Sequence, residues 1–166
     1  MVKIPEPKPG RVIRYEYLWR RQALRGQDTA EKDRPACIIV AVHRAQGDTR
    51  VLLLPITRSA PTGGDAAYEI PLRLKEHLGL DADRSWIVLS EANIDIWPSP
   101  DLRPIPGRPG VMEYGLLPQK LVNALREAVL NAILAKRMQA TDREAADPTE
   151  QPDLSDFTDG WQPSKP

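Results

Sequence analysis

Two apolar runs joined by a short polar turn constrain the fold more than any other feature of this 166-residue chain. The runs are PACIIVAVH, residues 35–43, and VLLLPIT, residues 51–57, and the segment between them contains Gly47 and Asp48. A glycine-containing turn between two such runs predicts a β-hairpin. Because apolar residues occupy consecutive positions, we expect both strands to be central in a sheet and covered on both faces.

Further strands and one long helix are predicted around this hairpin. RVIRYEYLW, residues 11–19, SWIVLSEANIDIW, residues 85–97, and the short run YEIPL have the β-branched and aromatic content typical of strands. Residues 116–138 form the long helix pattern, in which apolar residues recur every four positions. These elements predict a mainly β fold of the α+β class, a small antiparallel β-barrel with long loops and a C-terminal helix.

Charge is unevenly distributed along the chain. Lysine plus arginine and aspartate plus glutamate each number 23, so the formal net charge is zero and the composition as a whole is not that of a polycation. Residues 141–166 hold seven acidic residues against two basic ones, a net charge of −5, so residues 1–140 carry +5. We therefore predict one domain over residues 1–140, followed by an acidic, disordered tail over residues 141–166.

Several kinds of chemistry lack the residues they need. The two histidines, His43 and His77, lie on different predicted elements, and the single cysteine, Cys37, lies inside an apolar run. A zinc site and an internal disulfide are therefore not expected. The sequence contains no G-x-S-x-G elbow and no P-loop, and no apolar run is long enough for a signal peptide or a membrane span. We expect a soluble cytoplasmic protein without a metal or cofactor.

The remaining polar candidates lie at strand ends. Arg34 precedes the second strand and Thr57 ends the third, and the hairpin turn is at the opposite end, so both side chains are expected on one rim. A guanidinium beside a hydroxyl suits a phosphodiester. In RNA the neighbouring 2′-hydroxyl can attack that phosphate without a metal or a histidine. Spacing alone also allows a simpler interpretation, in which both are ordinary strand-end residues.

Other candidates are polar residues near these strand ends. Glu91 is the best candidate for a base, and Ser90 precedes it in the polar break of the strand over residues 85–97. Residues 20–33 are highly charged and are expected to form a long, mobile, basic connection. The predicted catalytic residues are Arg34, Thr57 and Glu91, and the predicted RNA-binding residues are Arg20, Arg21, Arg25, Lys32, Arg58 and Ser90.

The order of these motifs resembles a known family. PKPGRVIRYEYLW, a charged loop, KDRPACIIV, LLLPIT, SWIVLSEANIDIW and a final amphipathic helix are similar, over residues 5 to about 135, to the MazF/PemK-like toxins of bacterial toxin–antitoxin modules. The resemblance implies an SH3-like barrel, a homodimer and ribosome-independent endoribonuclease activity on single-stranded RNA. The family's catalytic arginine corresponds to Arg34, and its catalytic Thr or Ser corresponds to Thr57.

The resemblance also implies a partner and leaves alternatives. The expected partner is a cognate antitoxin whose acidic disordered tail occupies the RNA groove. A non-catalytic toxin of the related CcdB-like type would instead bind a protein through its C-terminal helix, and a domesticated binding module would have no toxicity. The acidic residues around Leu154, Phe157 and Trp161 further suggest that residues 150–162 compete with RNA in cis.

Overall fold

The structure is a computed structural model that describes residues 3–162 of the chain. Within that range it contains eight strands and four helices. The strands are β1 Arg11–Tyr15, β2 Arg34–His43, β3 Thr49–Thr57, β4 Ala67–Glu69, β5 Trp86–Val88, β6 Glu91–Trp97, β7 Glu113–Leu116 and β8 Gln139–Asp142. The helices are α1 Arg20–Leu24, α2 Leu72–Leu78, α3 Gln119–Leu134 and α4 Ser155–Thr158.

The predicted hairpin forms the centre of one sheet. Strands follow the order β4-β5-β3-β2-β1-β7, while β6 pairs with β3 and β8 pairs with β6. Every pair is antiparallel except β6 with β8, which is parallel. The α+β class is therefore confirmed. Among the pairs formed by residues 3–162, none joins β7 back to the far side of the sheet, so the strands form an open sheet rather than a closed barrel.

Both faces of the central hairpin are buried, as the apolar runs predicted. Cys37 and Ile39 contribute to one core cluster, which also contains the buried side chains of α3, whereas Ala36 and Ile38 contribute to a second cluster. Successive side chains of a strand point to opposite faces, so a strand covered on both faces is apolar at consecutive positions. Burial raises the pKa of the Cys37 thiol to about 12, in keeping with the expected role of a small buried hydrophobe.

The single strand predicted over residues 85–97 is instead two strands, because β3 changes partner along its length. Its first part, Thr49–Leu53, pairs with β6, and its end, at Ile56 and Thr57, pairs with β5. The chain has to step from one partnership to the other at Leu89 and Ser90. The antiparallel register of β6 with β3, in which Asn93 pairs with Leu53, brings Glu91 towards the end of the hairpin where β3 finishes.

The long helix is shorter at both ends than the predicted residues 116–138, since it runs from Gln119 to Leu134. Pro118 is the N-cap of α3, and Val122, Leu125 and Val129 are buried against the sheet. The helix stops at Leu134, and Lys136 has a φ of 57° that turns the chain towards β8. Within residues 3–162 no helix is both long enough and apolar enough to span a membrane.

Two segments predicted to be mobile are ordered instead. Residues 20–24 of the charged connection form α1, in which Arg20, Gln22 and Ala23 are buried. Residues 139–142 of the C-terminal region form β8, and Leu154 and Phe157 enter the first core cluster. The acidic segment was expected to be disordered because its apolar residues are too sparse for a core of their own. Pairing of β8 with β6 brings those residues to a core that already exists, which corrects the prediction for residues 141–162.

Candidate functional site

A groove with a volume of about 910 Å³ lies at the end of the β2–β3 hairpin away from its turn. Its walls come from β2, β3 and β5, from the segment between β1 and α1, and from the loop after β3. Seven of the nine predicted site residues line it, namely Arg21, Lys32, Arg34, Thr57, Arg58, Ser90 and Glu91. The residues expected on one rim are therefore close together in the fold.

Strand register explains why Arg34 and Thr57 share this rim. Ala36 pairs with Pro55 and Cys37 pairs with Leu54 in the β2–β3 ladder. Continuing that antiparallel register by two residues brings Arg34 opposite Thr57. Directly opposite residues on neighbouring strands have Cβ atoms about 5 Å apart, so one phosphate group can contact both side chains.

Arg34 is a half-buried cation that has no acidic partner among the residues the structure describes. Its neighbour Asp33 is bound by Arg14, whose Nε donates to Asp33 Oδ2 at 2.6 Å. Within residues 3–162 the Arg34 guanidinium forms no salt bridge, and its buried Nε has no hydrogen-bond acceptor. The guanidinium carbon lies 5.0 Å from the centroid of the Trp19 ring. Burial, and then the charge of Arg21, lower the pKa of Arg34, so an anion in the groove would relieve an uncompensated charge.

The Thr57 hydroxyl oxygen accepts a hydrogen bond from the turn that follows β3. Its Oγ1 accepts a hydrogen bond from the Ser59 amide at 3.1 Å, which fixes the side chain at the end of β3. A hydroxyl can accept and donate at the same time, so the Thr57 proton remains available for an oxygen atom in the groove. Thr57 therefore adds a neutral donor beside the Arg34 guanidinium.

Glu91 is held by two donors on the same carboxylate oxygen. The Tyr17 hydroxyl and the Arg20 amide each donate to Oε2 at 3.0 Å. Burial raises the pKa of Glu91, and these two hydrogen bonds only partly offset that effect. Among the hydrogen bonds formed by residues 3–162, none ends on Oε1. The geometry thus gives a half-buried carboxylate with one oxygen open to accept a proton.

The cations around Arg34 differ in their pairing. Arg21 is exposed, and its guanidinium carbon also lies 5.0 Å from the Trp19 ring centroid. Lys32 is exposed on the groove wall. Arg58, in contrast, donates to Asp83 Oδ2 at 3.1 Å and is 3.9 Å from Asp81. Part of the Arg58 charge is therefore already balanced by carboxylates, which weakens it as an RNA-binding residue.

Two predicted RNA-binding residues lie outside the groove. Arg20 is 8% exposed, and its guanidinium donates to the carbonyl oxygens of Ala140, Pro148 and Thr149. Arg25 is exposed at the C-terminal end of α1 and does not line the groove formed by the described residues. The prediction for Arg20 is wrong because its side chain points to the C-terminal segment, while only its backbone amide faces the site.

Tyr17 and Trp19 are groove residues that the sequence analysis missed. Both belong to YEYLW, residues 15–19, which was interpreted as the end of a strand, but β1 ends at Tyr15 and the next residues line the groove. The two aromatic rings pack edge to face, with centroids 5.1 Å apart. Aromatic residues directly before an arginine pair are a signal that could have identified them. Across residues 3–162, no three His, Cys, Asp or Glu side chains are grouped closely enough to hold a metal ion.

The groove therefore combines a desolvated guanidinium, a hydroxyl donor and a carboxylate with an open oxygen. Together these groups can bind an anionic group and accept a proton within the same groove. Comparison of the chain with protein-family models, with curated proteins and with solved structures finds no match in any of the three.

Proposed function

We propose that the groove binds the backbone of single-stranded RNA and that the chain is a metal-independent endoribonuclease acting through the 2′-hydroxyl. The observation that carries this proposal is Arg34, a half-buried guanidinium with no carboxylate partner within residues 3–162, opposite Thr57 in the strand register. A cation kept partly out of water without a counter-charge favours an anionic ligand. A phosphodiester fits the planar fork of arginine.

In this mechanism each groove residue has one task. Arg34 donates to the two non-bridging oxygens of the phosphate and stabilises the additional negative charge of the transition state. Thr57 donates to the same phosphate and fixes its orientation. Glu91 accepts the 2′-hydroxyl proton on Oε1 as O2′ bonds to phosphorus and the bond from phosphorus to O5′ breaks. The products are a 2′,3′-cyclic phosphate and a 5′-hydroxyl, whose oxygen takes its proton from water.

The raised pKa of Glu91 supports its role as the base. A base is most effective when its pKa lies close to the working pH, and the burial of this carboxyl moves its pKa upward from the ordinary carboxyl range. An arginine is protonated at neutral pH even when burial lowers its pKa, so Arg34 acts through its charge and its hydrogen bonds.

The biological setting proposed with this activity is that of a toxin of a type II toxin–antitoxin system. Its partners would be single-stranded RNA, a cognate antitoxin with an acidic disordered tail and a second copy of the chain, in the cytoplasm. The motif resemblance supports this setting. A CcdB-like protein-binding toxin would use the C-terminal helix, but α3 buries Val122, Leu125 and Val129 against the sheet and contacts α4. That packing gives the protein-binding alternative no specific support.

The test is cleavage of a labelled, unstructured RNA by the purified chain in the presence of EDTA. Arg34→Ala should reduce the rate by at least about 100-fold, because it removes the donors that face the developing charge. Arg34→Lys should also be impaired, because lysine keeps the charge without the two-pronged geometry. Arg126→Ala is the matched control, since Arg126 is exposed on α3, away from the groove.

Two further measurements make the test specific to the mechanism. The same RNA with 2′-deoxy sugars should bind but remain uncut, and products should carry cyclic phosphate ends. Circular dichroism should show that Arg34→Ala is folded, since removal of the contact with Trp19 costs less than about 1 kcal/mol. Cleavage by Arg34→Ala at the wild-type rate, or activity that depends on added Mg²⁺, would contradict the proposal. Binding without cleavage by the wild-type chain would favour the binding-module alternative.

A further inference from the structure

The C-terminal segment is tied to residues 16–20 by two arginines with buried side chains, Arg20 from one side and Arg143 from the other. Arg20 Nη1 donates to Ala140 O at 3.3 Å and to Pro148 O at 2.8 Å, and its Nη2 donates to Thr149 O. In the other direction, Arg143 Nη1 donates to Glu16 O at 2.5 Å. Arginine has five donors in a fixed planar arrangement, so each of these residues can hold several backbone carbonyls in one geometry.

Arg20 also connects this segment to the candidate base. Its backbone amide donates to Glu91 Oε2 at 3.0 Å, and its neighbours Trp19 and Arg21 line the groove. On the opposite side of Glu91, β8 pairs in parallel with β6, with Gln139 in register with Glu91. The Gln139 amide donates to Ser90 O at 3.0 Å, directly before Glu91. The backbone of Glu91 and one donor to its carboxylate therefore both depend on residues after α3.

The far end of the segment is fixed to the body by packing, and it is fixed to the start of the segment by one glutamine. Leu154 and Phe157 are 8% and 3% exposed within the first core cluster. Gln151 hydrogen-bonds to the backbone at the start of β8: its Oε1 accepts from the Ala140 amide at 3.3 Å, and its Nε2 donates to the carbonyl oxygen of Met138, the residue before β8, at 3.2 Å. These contacts hold the carbonyls of residues 148 and 149 at the Arg20 guanidinium.

We propose that residues 139–158 form a strap that positions Glu91, and that Arg20 is the positioning residue through which the strap acts. This inference rests on the proposed function for the role of Glu91 as a base. The Arg20 amide stays in place as a donor to Glu91 Oε2, because the Arg20 side chain is anchored to the strap. Glu91 then presents Oε1 to the groove in one orientation, as preorganised catalysis requires.

The strap replaces the hypothesis that the acidic segment blocks the groove in cis. No residue between 139 and 162 lines the groove in the described part of the chain. Leu154 and Phe157 are buried in the core, and Trp161 packs against the same cluster. The acidic side chains Asp142, Asp147, Glu150 and Asp153 line a separate depression beside Arg50. The segment therefore reaches the site through the backbone of Arg20 and not by competing for the space of a ligand.

The strap should control the protonation of Glu91. The groups that face this carboxyl are the Tyr17 hydroxyl and the Arg20 amide, which donate to it, and the charges of Arg21 and Asp65, which lower and raise its pKa respectively. A hydrogen bond to the ionised carboxylate lowers the pKa. Loss of the Arg20 amide therefore moves the pKa of Glu91 further upward, so that less of the base is ionised at a given acidic pH.

The test uses Arg20→Lys in the full chain, with a labelled RNA as substrate over a range of pH. Lysine keeps the positive charge but cannot donate to three carbonyls in one plane. We expect the acidic limb of the rate profile to move to higher pH, with kcat reduced about tenfold on that limb and KM within about twofold of wild type. Arg126→Lys, on the exposed face of α3, should leave the profile unchanged.

A second readout does not depend on cleavage. The Glu91 carboxyl is titrated by NMR after 13C-labelling of glutamate, with Glu91→Gln used to assign its signal, and its pKa should be higher in Arg20→Lys than in wild type. If the wild-type chain does not cleave RNA, the proposed function fails, and this titration still decides whether Arg20 positions Glu91.

A second variant, at a residue other than Arg20, tests the proposal if Arg20→Lys does not fold. Gln151 is exposed, so Gln151→Ala should fold, and it should move the same titration in the same direction because the carbonyls of residues 148 and 149 would be held less firmly at the Arg20 guanidinium. An unchanged pKa of Glu91 in both Arg20→Lys and Gln151→Ala would overturn the proposal and leave the strap with a role in stability alone.

Discussion

Replacing Phe157 with alanine tests whether the C-terminal segment is part of the folded domain. Phe157 lies on α4, is 3% exposed, and belongs to the core cluster that contains Leu125 and Val129 of α3. Its ring centroid is 5.8 Å from the Arg50 guanidinium carbon. If residues 141–162 were a solvated tail, this side chain would contact water in the folded and unfolded states alike, and its removal would cost almost nothing.

The magnitude follows from what the ring contacts. Truncation of a buried phenylalanine to alanine costs about 3–5 kcal/mol, from lost transfer free energy and the cavity that remains. The contact with Arg50 contributes about 0.5–1 kcal/mol of that loss. Arg50 keeps its ion pair with Asp142, at 2.9 Å, so no buried charge is left without a partner. A short helix near the chain end can settle into part of the cavity, so we expect a loss of about 3 kcal/mol, at the lower end of the range.

Thermal or urea unfolding followed by circular dichroism measures this loss. For a domain of this size, 1 kcal/mol corresponds to about 2–4 °C in Tm, so Phe157→Ala should lower Tm by about 6–12 °C. Asp159→Ala is the matched control, because Asp159 is exposed two residues away and should change stability by no more than about 0.5 kcal/mol. A loss below about 1 kcal/mol for Phe157→Ala would refute the packing of α4 on the body and, with it, the anchor of the strap.

Two further predictions concern ligand binding and packing. Within residues 3–162 the groove cations Arg21, Lys32 and Arg34 have no carboxylate partner. The association constant for a 2′-deoxy strand should therefore fall with salt, with a slope of about −2 when its logarithm is plotted against the logarithm of the salt concentration. A slope near zero would exclude this set of phosphate contacts. At Gly10, φ is +95° and an added Cβ would lie 2.5 Å from Val122 Cγ2. Gly26 has a similar φ but open surroundings, so Gly10→Ala should destabilise the fold by at least about 1 kcal/mol more than Gly26→Ala. Equal losses of unfolding free energy for the two variants in urea titrations would contradict the clash.

The hairpin and its rim could be predicted because they depend on short-range pattern. Consecutive apolar residues identify strands covered on both faces, and the position of the turn decides which residues share the other end. Arg34 and Thr57 therefore came together from the sequence alone, as the register through Ala36 and Pro55 requires. The division of residues 85–97 into two strands depends on where β3 changes partner, which no local pattern of that segment contains.

The side-chain directions of the basic connection could not be predicted for a related reason. Arg20 and Arg21 are adjacent and chemically identical, yet one is buried against carbonyls more than 100 residues away and the other lines the groove. The distinction is made by the segment around Pro148 and Thr149, whose course depends on β8 and on the burial of Phe157. Sparse apolar residues predict disorder only when the segment must form its own core, and here the core is supplied by other elements.

A formal net charge of zero is compatible with the anion binding proposed for the groove, because the charge of the groove is decided by local pairing. Asp33 directly precedes Arg34 in the sequence, but the Arg14 guanidinium donates to both the side chain and the backbone carbonyl of Asp33. Arg14 also donates to the Tyr114 hydroxyl at 3.2 Å, which ties this pair to β7. The acid nearest in sequence is thereby neutralised, and the charge of Arg34 remains for a ligand. In the proposed site, Arg14 therefore supports Arg34 indirectly, because it binds the acid that precedes Arg34.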